Sequence, residues 1–201
     1  SYFLYGLKQK QLANTMFPLG EYEKRQVKEI AREFQLEVGD SQESQEICFI
    51  ADDYREFIKD KIDYTPGLIK DKQNVVLGQH RGLPFYTIGQ RKGLGISGGR
   101  PLYVTGMDRE ANTLYVGDSQ DLLQDSLLAA DNNFVYISDL SAPLEVTVKI
   151  RYAAQPAEAQ IRRQGNYVRV DFKTPQRAVT PGQSAVYYHG DYVVGGGIIL
   201  G

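Results

Sequence analysis

Hydrophobic residues in the first third of the chain are spaced as they are in helices. Between residues 21 and 34 the apolar side chains recur every three or four positions, which places them on one helical face. These positions are Val27, Ile30, Ala31 and Phe34. Pro18 and Gly20 separate this helix from a shorter one predicted over residues 8–13, and a third is predicted over residues 54–61. We expect the helix over residues 21–34 to turn its apolar face toward a core.

After Pro66 and Gly67 the pattern changes to short β-type runs that alternate with turns rich in Gly, Asn and Asp. The predicted strands cover residues 68–70, 75–80, 102–108, 113–116, 127–130, 145–150, 158–162, 167–172, 184–189 and 192–200. Tight turns between successive runs favour antiparallel pairing and small barrels. The sequence therefore predicts an α+β fold, in which a small helical segment is followed by mainly antiparallel β structure that ends in a small β-barrel.

The acidic, turn-rich stretch over residues 117–125 is the natural division within the β part. Three parts are predicted: a helical part with the loop that carries Cys48 (residues 1–66), a β part (67–120) and a C-terminal β-barrel (121–201).

Composition sets outer limits on the class of protein. The chain has 201 residues, of which 42% are hydrophobic and 24% charged, as in ordinary globular domains. Its apolar runs are too short for a membrane helix, which needs ~20 residues. One cysteine, Cys48, excludes an internal disulfide and favours a reducing, cytoplasmic setting. The start at Ser1, in the middle of an apolar pattern, predicts a piece of a longer protein.

The charge is unevenly distributed although the net charge is only -2. Residues 70–110 hold 7 basic and 3 acidic residues, and residues 145–177 hold the same numbers, so each block carries a net charge of +4. Two basic blocks in an acidic protein can form a face that binds a polyanion such as RNA. Scattered, solvated lysines and arginines are the alternative interpretation.

Cys48 lies where a polar loop over residues 40–46 runs into the apolar residues Ile47, Phe49 and Ile50. A cysteine between two apolar neighbours is typical of an inert core residue. A reactive thiol would need nearby cations to lower its pKa, and the immediate neighbours are acidic. The residues alone leave both interpretations open.

Residues 78–96 combine glycines, aromatic residues and adjacent cations. Arg91 and Lys92 have the chemistry to meet phosphates, and Phe85 or Tyr86 could stack on a base. An ordinary glycine-rich hairpin is the alternative.

His80 is more typical of a hydrogen-bonded structural histidine than of a catalyst, and one cysteine with two distant histidines does not predict a zinc site.

Six ordered motifs resemble those of bacterial tRNA-specific 2-thiouridylases, along the whole chain. The first three are Ser1-Tyr2-Phe3-Leu4, Phe17-Pro18-Leu19-Gly20 and Ser44-Gln45-Glu46-Ile47-Cys48-Phe49-Ile50. The others are Phe85-Tyr86-Thr87-Ile88-Gly89-Gln90-Arg91-Lys92-Gly93-Leu94, Val148-Lys149-Ile150-Arg151-Tyr152 and Val179-Thr180-Pro181-Gly182-Gln183-Ser184.

The resemblance implies an enzyme that places sulfur on C2 of the wobble uridine in the tRNA anticodon. In that family an N-terminal domain uses ATP to adenylate the uridine, and a cysteine that matches Cys48 carries the sulfur as a persulfide. A second cysteine of the N-terminal domain forms a disulfide with it, and a relay protein or cysteine desulfurase donates the sulfur. The resemblance also makes residues 1–120 the family's central domain.

The resemblance assigns tRNA contacts to Arg151, Tyr152 and Gln183. We add Gln90, Arg91 and Lys92 because of their chemistry and their place in the motif over residues 85–94.

Ser97-Gly98-Gly99 is followed by Arg100 and Pro101, so the family's ATP loop, Ser-Gly-Gly-x-Asp-Ser, is absent. We therefore expect no cofactor or metal in this chain and no thiolation by it alone. Two alternatives remain: an RNA-binding barrel with an inert Cys48, and a stand-alone thiol enzyme that pairs Cys48 with His80.

Overall fold

The computed structural model describes residues 2–36, 61–96 and 99–201. The chain divides into two compact units, one formed by residues 1–9 and 64–201 and the other by residues 10–63. None of the helices in the described ranges has the length and apolar character needed to cross a membrane. Residues 54–60 of the helix predicted over residues 54–61, and the loop that carries Cys48, lie outside the described residues.

The helices of the first third are short. A 3-10 helix covers Tyr2–Gly6, and two α-helices follow, α1 (Gln9–Leu12) and α2 (Lys24–Glu33). The backbone N–H of Glu23 donates to Oε1 of Gln26 at 2.7 Å, which satisfies one of the free amides at the start of α2.

The apolar face of α2 is confirmed only in part. Ala31 is buried and Val27 and Ile30 are half-buried, but 74% of Phe34 is exposed. The prediction for Phe34 was wrong because this residue caps α2 with a backbone conformation outside the helical region (φ -81°, ψ 4°), so it leaves the helical stripe.

A four-stranded sheet follows. Its strands are β1 (Gly67–Asp71), β2 (Val76–His80), β3 (Tyr103–Asp108) and β4 (Thr113–Gly117), in the order β2-β1-β4-β3. The β1–β2 and β3–β4 pairs are antiparallel, and β1 and β4 are parallel. Ile69, Val104 and Leu114 are fully buried in this sheet.

Six further strands close into a barrel. They are β5 (Leu123–Phe134), β6 (Leu144–Lys149), β7 (Ala157–Gln164), β8 (Tyr167–Arg177), β9 (Ser184–His189) and β10 (Tyr192–Ile199). The order around the barrel is β10-β5-β8-β7-β6-β9, and the neighbouring strands are antiparallel. The predicted α+β fold with a small C-terminal barrel is therefore confirmed.

The interior of the barrel follows the period-two pattern of its strands. On β8 the alternate residues Val168, Val170 and Phe172 are buried, and on β7 Ala159 and Ile161 are buried. Each strand therefore places one side-chain set in a common apolar core, and burial of that set is the main force that holds the barrel closed.

The four-stranded sheet and the barrel meet at the ends of β4 and β8. A 3-10 helix (Gln120–Leu122) joins β4 to β5, and the N–H of Ala178 donates to the carbonyl of Leu122 at 2.8 Å. The guanidinium of Arg177 lies 4.9 Å from the ring centroid of Tyr103 on β3. These contacts fix the segment after β8 against the sheet.

Candidate nucleic-acid interface

The N-terminal 3-10 helix is seated on the barrel through two tyrosines. The hydroxyl of Tyr2 donates to the carbonyl of Ser184 at 2.7 Å, and the hydroxyls of Tyr5 and Ser184 lie 2.8 Å apart. The side-chain amide of Asn133 donates to the carbonyl of Tyr5. A Cβ at Gly196 would lie 2.7 Å from Cδ2 of Tyr5, so the glycine leaves the space that the Tyr5 ring fills. Residues at the two ends of the chain therefore share one surface.

Three aromatic rings gather where this helix meets the turn after β6. The rings of Phe3 and Tyr152 are stacked, with centroids 5.7 Å apart and an interplanar angle of 20°. Tyr2 meets both rings edge-on, at 5.2 Å from Phe3 and 6.1 Å from Tyr152. Burial raises the pKa of Tyr2, so its hydroxyl remains a proton donor to Ser184. The ammonium of Lys149 lies 5.9 Å from the centroid of Tyr152.

Arg151 ties the turn after β6 to the segment after β8. Its NH2 group donates to the carbonyl of Ala178 and to Oγ1 of Thr180, the latter at 3.3 Å. The Thr180 hydroxyl in turn donates to the same Ala178 carbonyl at 3.0 Å. The guanidinium therefore holds two loops together, and part of its hydrogen-bonding capacity is already used within the protein.

Gln183 lies in the turn that leads into β9. Its N–H donates to the carbonyl of Thr180 at 3.2 Å, and its carbonyl accepts from the N–H of Ile199 at 2.8 Å. Its side chain is exposed. Ser184, the next residue, accepts the hydrogen bond from Tyr2, and the Tyr2 ring contacts Tyr152. The structure therefore brings Arg151, Tyr152 and Gln183 to neighbouring turns of one surface. The sequence separates these residues into two distant motifs.

The loop after the 3-10 helix Leu83–Phe85 is fixed by the side chain of Gln90. Its Oε1 accepts from the N–H of Thr87 at 3.1 Å, and its Nε2 donates to the carbonyl of Lys92 at 2.9 Å. Two backbone hydrogen bonds, Gly89 to Val104 and Val104 to Gln90, attach the loop to β3. Gln90 thus uses its amide to shape the turn that presents Arg91 and Lys92 to solvent.

Arg91 and Arg100 line an open recess of about 390 Å³, together with the glycine-rich backbone between them. Gly93 and Gly95 have positive φ angles of 75° and 70°, and no atom lies within 4 Å of a Cβ built at Gly95. A backbone without side chains leaves room for a ligand to approach. The recess thus offers cationic side chains and open space beside them.

A close contact joins this loop to the surface around Arg151. A Cβ built at Gly89 would lie 3.0 Å from the Cβ of Ala178, and the Ala178 carbonyl accepts from Arg151. Ala178 therefore links Arg151 to Gly89, the residue that precedes the predicted tRNA-contacting residues Gln90, Arg91 and Lys92.

The aromatic residues of the loop do not have the exposure that base stacking requires. Phe85 and Tyr86 are only 5% and 7% exposed. Phe85 packs edge-on against Tyr64 with ring centroids 4.7 Å apart, and Tyr86 lies 5.8 Å from the ring of His80. The interpretation of Phe85 or Tyr86 as a base-stacking residue was wrong, because both rings are buried, against Tyr64 and His80 respectively.

His80 is buried and bonded at both ring nitrogens. Its Nδ1 accepts from the N–H of Gly82 at 3.1 Å, so its Nε2 carries the proton that is donated to the Asn112 carbonyl, also at 3.1 Å. A histidine held in this way fixes the backbone at Gly82, where the segment of the 3-10 helix Leu83–Phe85 begins.

Cys48, the predicted catalytic residue, lies outside the described residues. The described ranges hold no group of three or more residues suited to bind a metal.

Three domain families match successive parts of the chain. Residues 1–52 match the tRNA methyl transferase HUP domain, residues 55–118 the tRNA methyl transferase PRC-barrel domain, and residues 124–199 the Aminomethyltransferase beta-barrel domain. The last two matches cover the four-stranded sheet and the barrel.

Curated relatives match nearly all of the chain. The tRNA-specific 2-thiouridylase MnmA of Syntrophomonas wolfei is 48% identical over 200 residues, which cover 99% of this chain and 59% of that protein. MnmA 1 of Caldanaerobacter subterraneus is 51% identical over 203 residues, 99% of this chain and 56% of that protein. MnmA of Moorella thermoacetica is 50% identical, with 99% and 57% covered. The chain belongs to the tRNA-specific 2-thiouridylase family. It spans somewhat more than half the length of these relatives.

Within this family framework, two functional candidates were absent from the predicted residues. The exposed ring of Phe3 and the half-buried Lys149 lie beside Tyr152. Both belong to motifs that carry the family resemblance, but neither position reveals its partner in the sequence. Phe3 and Tyr152 become neighbours only because Tyr2 and Tyr5 attach the N-terminal helix to β9.

Proposed function

We propose that this chain is the part of a tRNA 2-thiouridylase that binds the tRNA and carries the sulfur on Cys48. One observation supports the binding role above all: Gly89, which precedes Gln90 and Arg91, packs on Ala178, and the Ala178 carbonyl accepts from Arg151, so two loops distant in sequence lie side by side. Exposed aromatic rings and cations lie beside them, as single-stranded and looped RNA requires.

The proposed sulfur transfer belongs to the whole enzyme. O2 of the wobble uridine attacks the α-phosphorus of ATP and pyrophosphate leaves, so that AMP becomes the leaving group at C2. The terminal sulfur of the Cys48 persulfide attacks C2, and the C–O bond to AMP breaks. A second thiol then attacks the Cys48 sulfur, which leaves the sulfur on uridine and a disulfide between the two cysteines. The HUP match over residues 1–52 is consistent with ATP use by full-length relatives.

In this scheme the described residues bind and orient the tRNA. Arg91 and Lys92 face solvent and neutralise phosphates, while Arg151 holds the turns that present Tyr152 and Gln183. Phosphate contacts of this kind fix the register of a nucleic acid without reading its sequence.

The proposal is tested in the full-length protein by the substitution Cys48→Ser. We expect thiolation of a tRNA transcript with a wobble uridine to be lost, with the tRNA dissociation constant within about twofold of wild type. A serine variant that still thiolates contradicts the persulfide role and favours the alternative, an RNA-binding barrel with an inert cysteine.

The binding role has its own test. The affinity of the full-length protein for tRNA should fall with salt concentration, and Arg91→Ala should lower the salt slope by about one unit. An unchanged slope for Arg91→Ala and Lys92→Ala together would remove this loop from the interface.

A further inference from the structure

The stacked rings of Phe3 and Tyr152 are unusual because both remain open to solvent. Phe3 is 74% exposed and Tyr152 is 66% exposed. Large aromatic rings that are left exposed and adjacent indicate a surface that is covered by a partner. Most of the surface of each ring is thus open to another flat, apolar group.

The pair is held in place from below. Tyr2 is only 6% exposed, meets both rings edge-on, and is anchored by its hydrogen bond to the Ser184 carbonyl. A ring that is already fixed loses little conformational entropy when a ligand stacks on it. The platform, defined here as Phe3 and Tyr152, is therefore preorganised.

The charge beside the platform favours a nucleotide over an apolar peptide. The Lys149 ammonium lies 5.9 Å from the Tyr152 centroid, and within the described part of the chain it has no carboxylate partner. Arg151 adds a second cation one residue before Tyr152, although its NH2 group is bonded to Ala178. An exposed aromatic surface with a cation close to one ring matches a base and its phosphate.

We propose that the Phe3–Tyr152 platform stacks on an unpaired base of the tRNA, with Lys149 at an adjoining phosphate. This inference rests on the proposed function and adds to it a binding residue, Phe3, and a class of contact. Stacking of this kind accepts any base, because every base offers a π-face.

The test uses the full-length protein and a tRNA transcript, with Phe3→Ala, Tyr152→Ala and Phe3→Trp variants. We expect each alanine variant to bind about tenfold more weakly with an unchanged salt slope, because base stacking on an aromatic ring is neutral. Phe3→Trp should retain the affinity of the wild type. Lys149→Gln should instead lower the salt slope by about one unit.

A matched control is present in the same barrel. Tyr136 and Tyr192 form another stacked, exposed pair, with centroids 4.9 Å apart and exposures of 57% and 59%. We expect Tyr136→Ala to leave tRNA affinity unchanged. Equal losses for Tyr136→Ala and Phe3→Ala would contradict a specific platform.

A second probe separates stacking from a general loss of binding. A blunt RNA duplex has no unpaired base, so Phe3→Ala should not change its affinity. Wild-type affinity for tRNA in both Phe3→Ala and Tyr152→Ala overturns the platform but leaves the proposed function standing. A wild-type protein that does not bind tRNA overturns the proposed function itself.

Discussion

Gly89 and Ala178 lie in direct contact, and through this contact the glycine-rich loop meets the barrel. A Cβ at position 89 would lie 3.0 Å from the Cβ of Ala178, and Gly89 has a φ of +86°. Ala178 in turn has a positive φ of +56° and accepts a hydrogen bond from Arg151. The packing of Gly89 on Ala178 thus sets the position of the loop that presents Arg91 relative to the turn that presents Tyr152.

Gly89→Ala should disturb this contact. We expect a loss of about 2 kcal/mol in the free energy of unfolding, because the new methyl group meets Ala178 and the positive φ is strained. Gly95→Ala is the control, since Gly95 also has a positive φ (70°) but has open space around it. Urea denaturation of both variants measures the difference. Equal losses would mean that backbone strain, and not the contact with Ala178, decides the cost.

Arg151→Lys separates the structural role of this arginine from its charge. Lysine keeps the positive charge but lacks the planar fork that reaches both Ala178 and Thr180. We expect a loss of about 1 kcal/mol in unfolding free energy and weaker tRNA binding, with an unchanged salt slope. Arg91→Lys, at an exposed loop position, keeps the charge and should leave both the unfolding free energy and the tRNA affinity unchanged. Full tRNA affinity and stability in Arg151→Lys would show that Arg151 acts as a charge alone.

Tyr187→Phe tests a buried hydrogen bond in the barrel. The Tyr187 hydroxyl donates to Oδ1 of Asn132 at 2.8 Å, and Tyr187 is fully buried. Its removal leaves the Asn132 oxygen without this donor, so we expect a loss of about 1–2 kcal/mol in unfolding free energy. Calorimetry or urea denaturation at neutral pH measures it, and an unchanged stability would mean that water replaces the hydroxyl.

The same residue predicts a pH dependence. Burial, with a smaller contribution from Tyr5, raises the pKa of Tyr187 in the folded protein. In the unfolded chain a tyrosine ionises near pH 10, so the unfolded state gains stability above about pH 10 while the folded state keeps its proton. Stability should therefore fall as the pH rises past about 10. Tyr187→Phe should reduce that slope, and an identical slope in both proteins would contradict the assignment.

Gly196→Ala tests the attachment of the N-terminal helix. The new methyl group would lie 2.7 Å from the Tyr5 ring and from the Ala185 carbonyl, and the backbone of β9 cannot move aside. We expect the helix Tyr2–Gly6 to leave the barrel, with faster proteolysis near the N-terminus and weaker tRNA binding. Native protease resistance and tRNA affinity would show that the helix docks without this space. Gly106→Ala, at a strand position that also lacks a positive φ but has only ordinary contacts, 3.8 Å to Tyr115, provides the matched control.

Local patterns predicted the strands well because each strand carries its own information. Alternation such as that of Val168, Val170 and Phe172 depends only on neighbouring residues, and the turn at Gly165 and Asn166 marks where the chain reverses. Two strands are much longer than predicted: β8 runs to Arg177, beyond the predicted end at residue 172, and β5 covers Leu123–Phe134, where only residues 127–130 were predicted. The first residues of β5 pair with the end of β8, a partner that the local pattern does not reveal.

The sequence by itself determined the α+β class, the succession of strands and the motifs that identify the family. Only the tertiary structure decided which distant residues meet: Phe3 with Tyr152, Gly89 with Ala178, and Phe85 with the core. The physical reason is the range of the interactions. Strand alternation and turn chemistry act within a few residues, whereas closure of the barrel and docking of the N-terminal helix depend on side chains that are far apart in the chain.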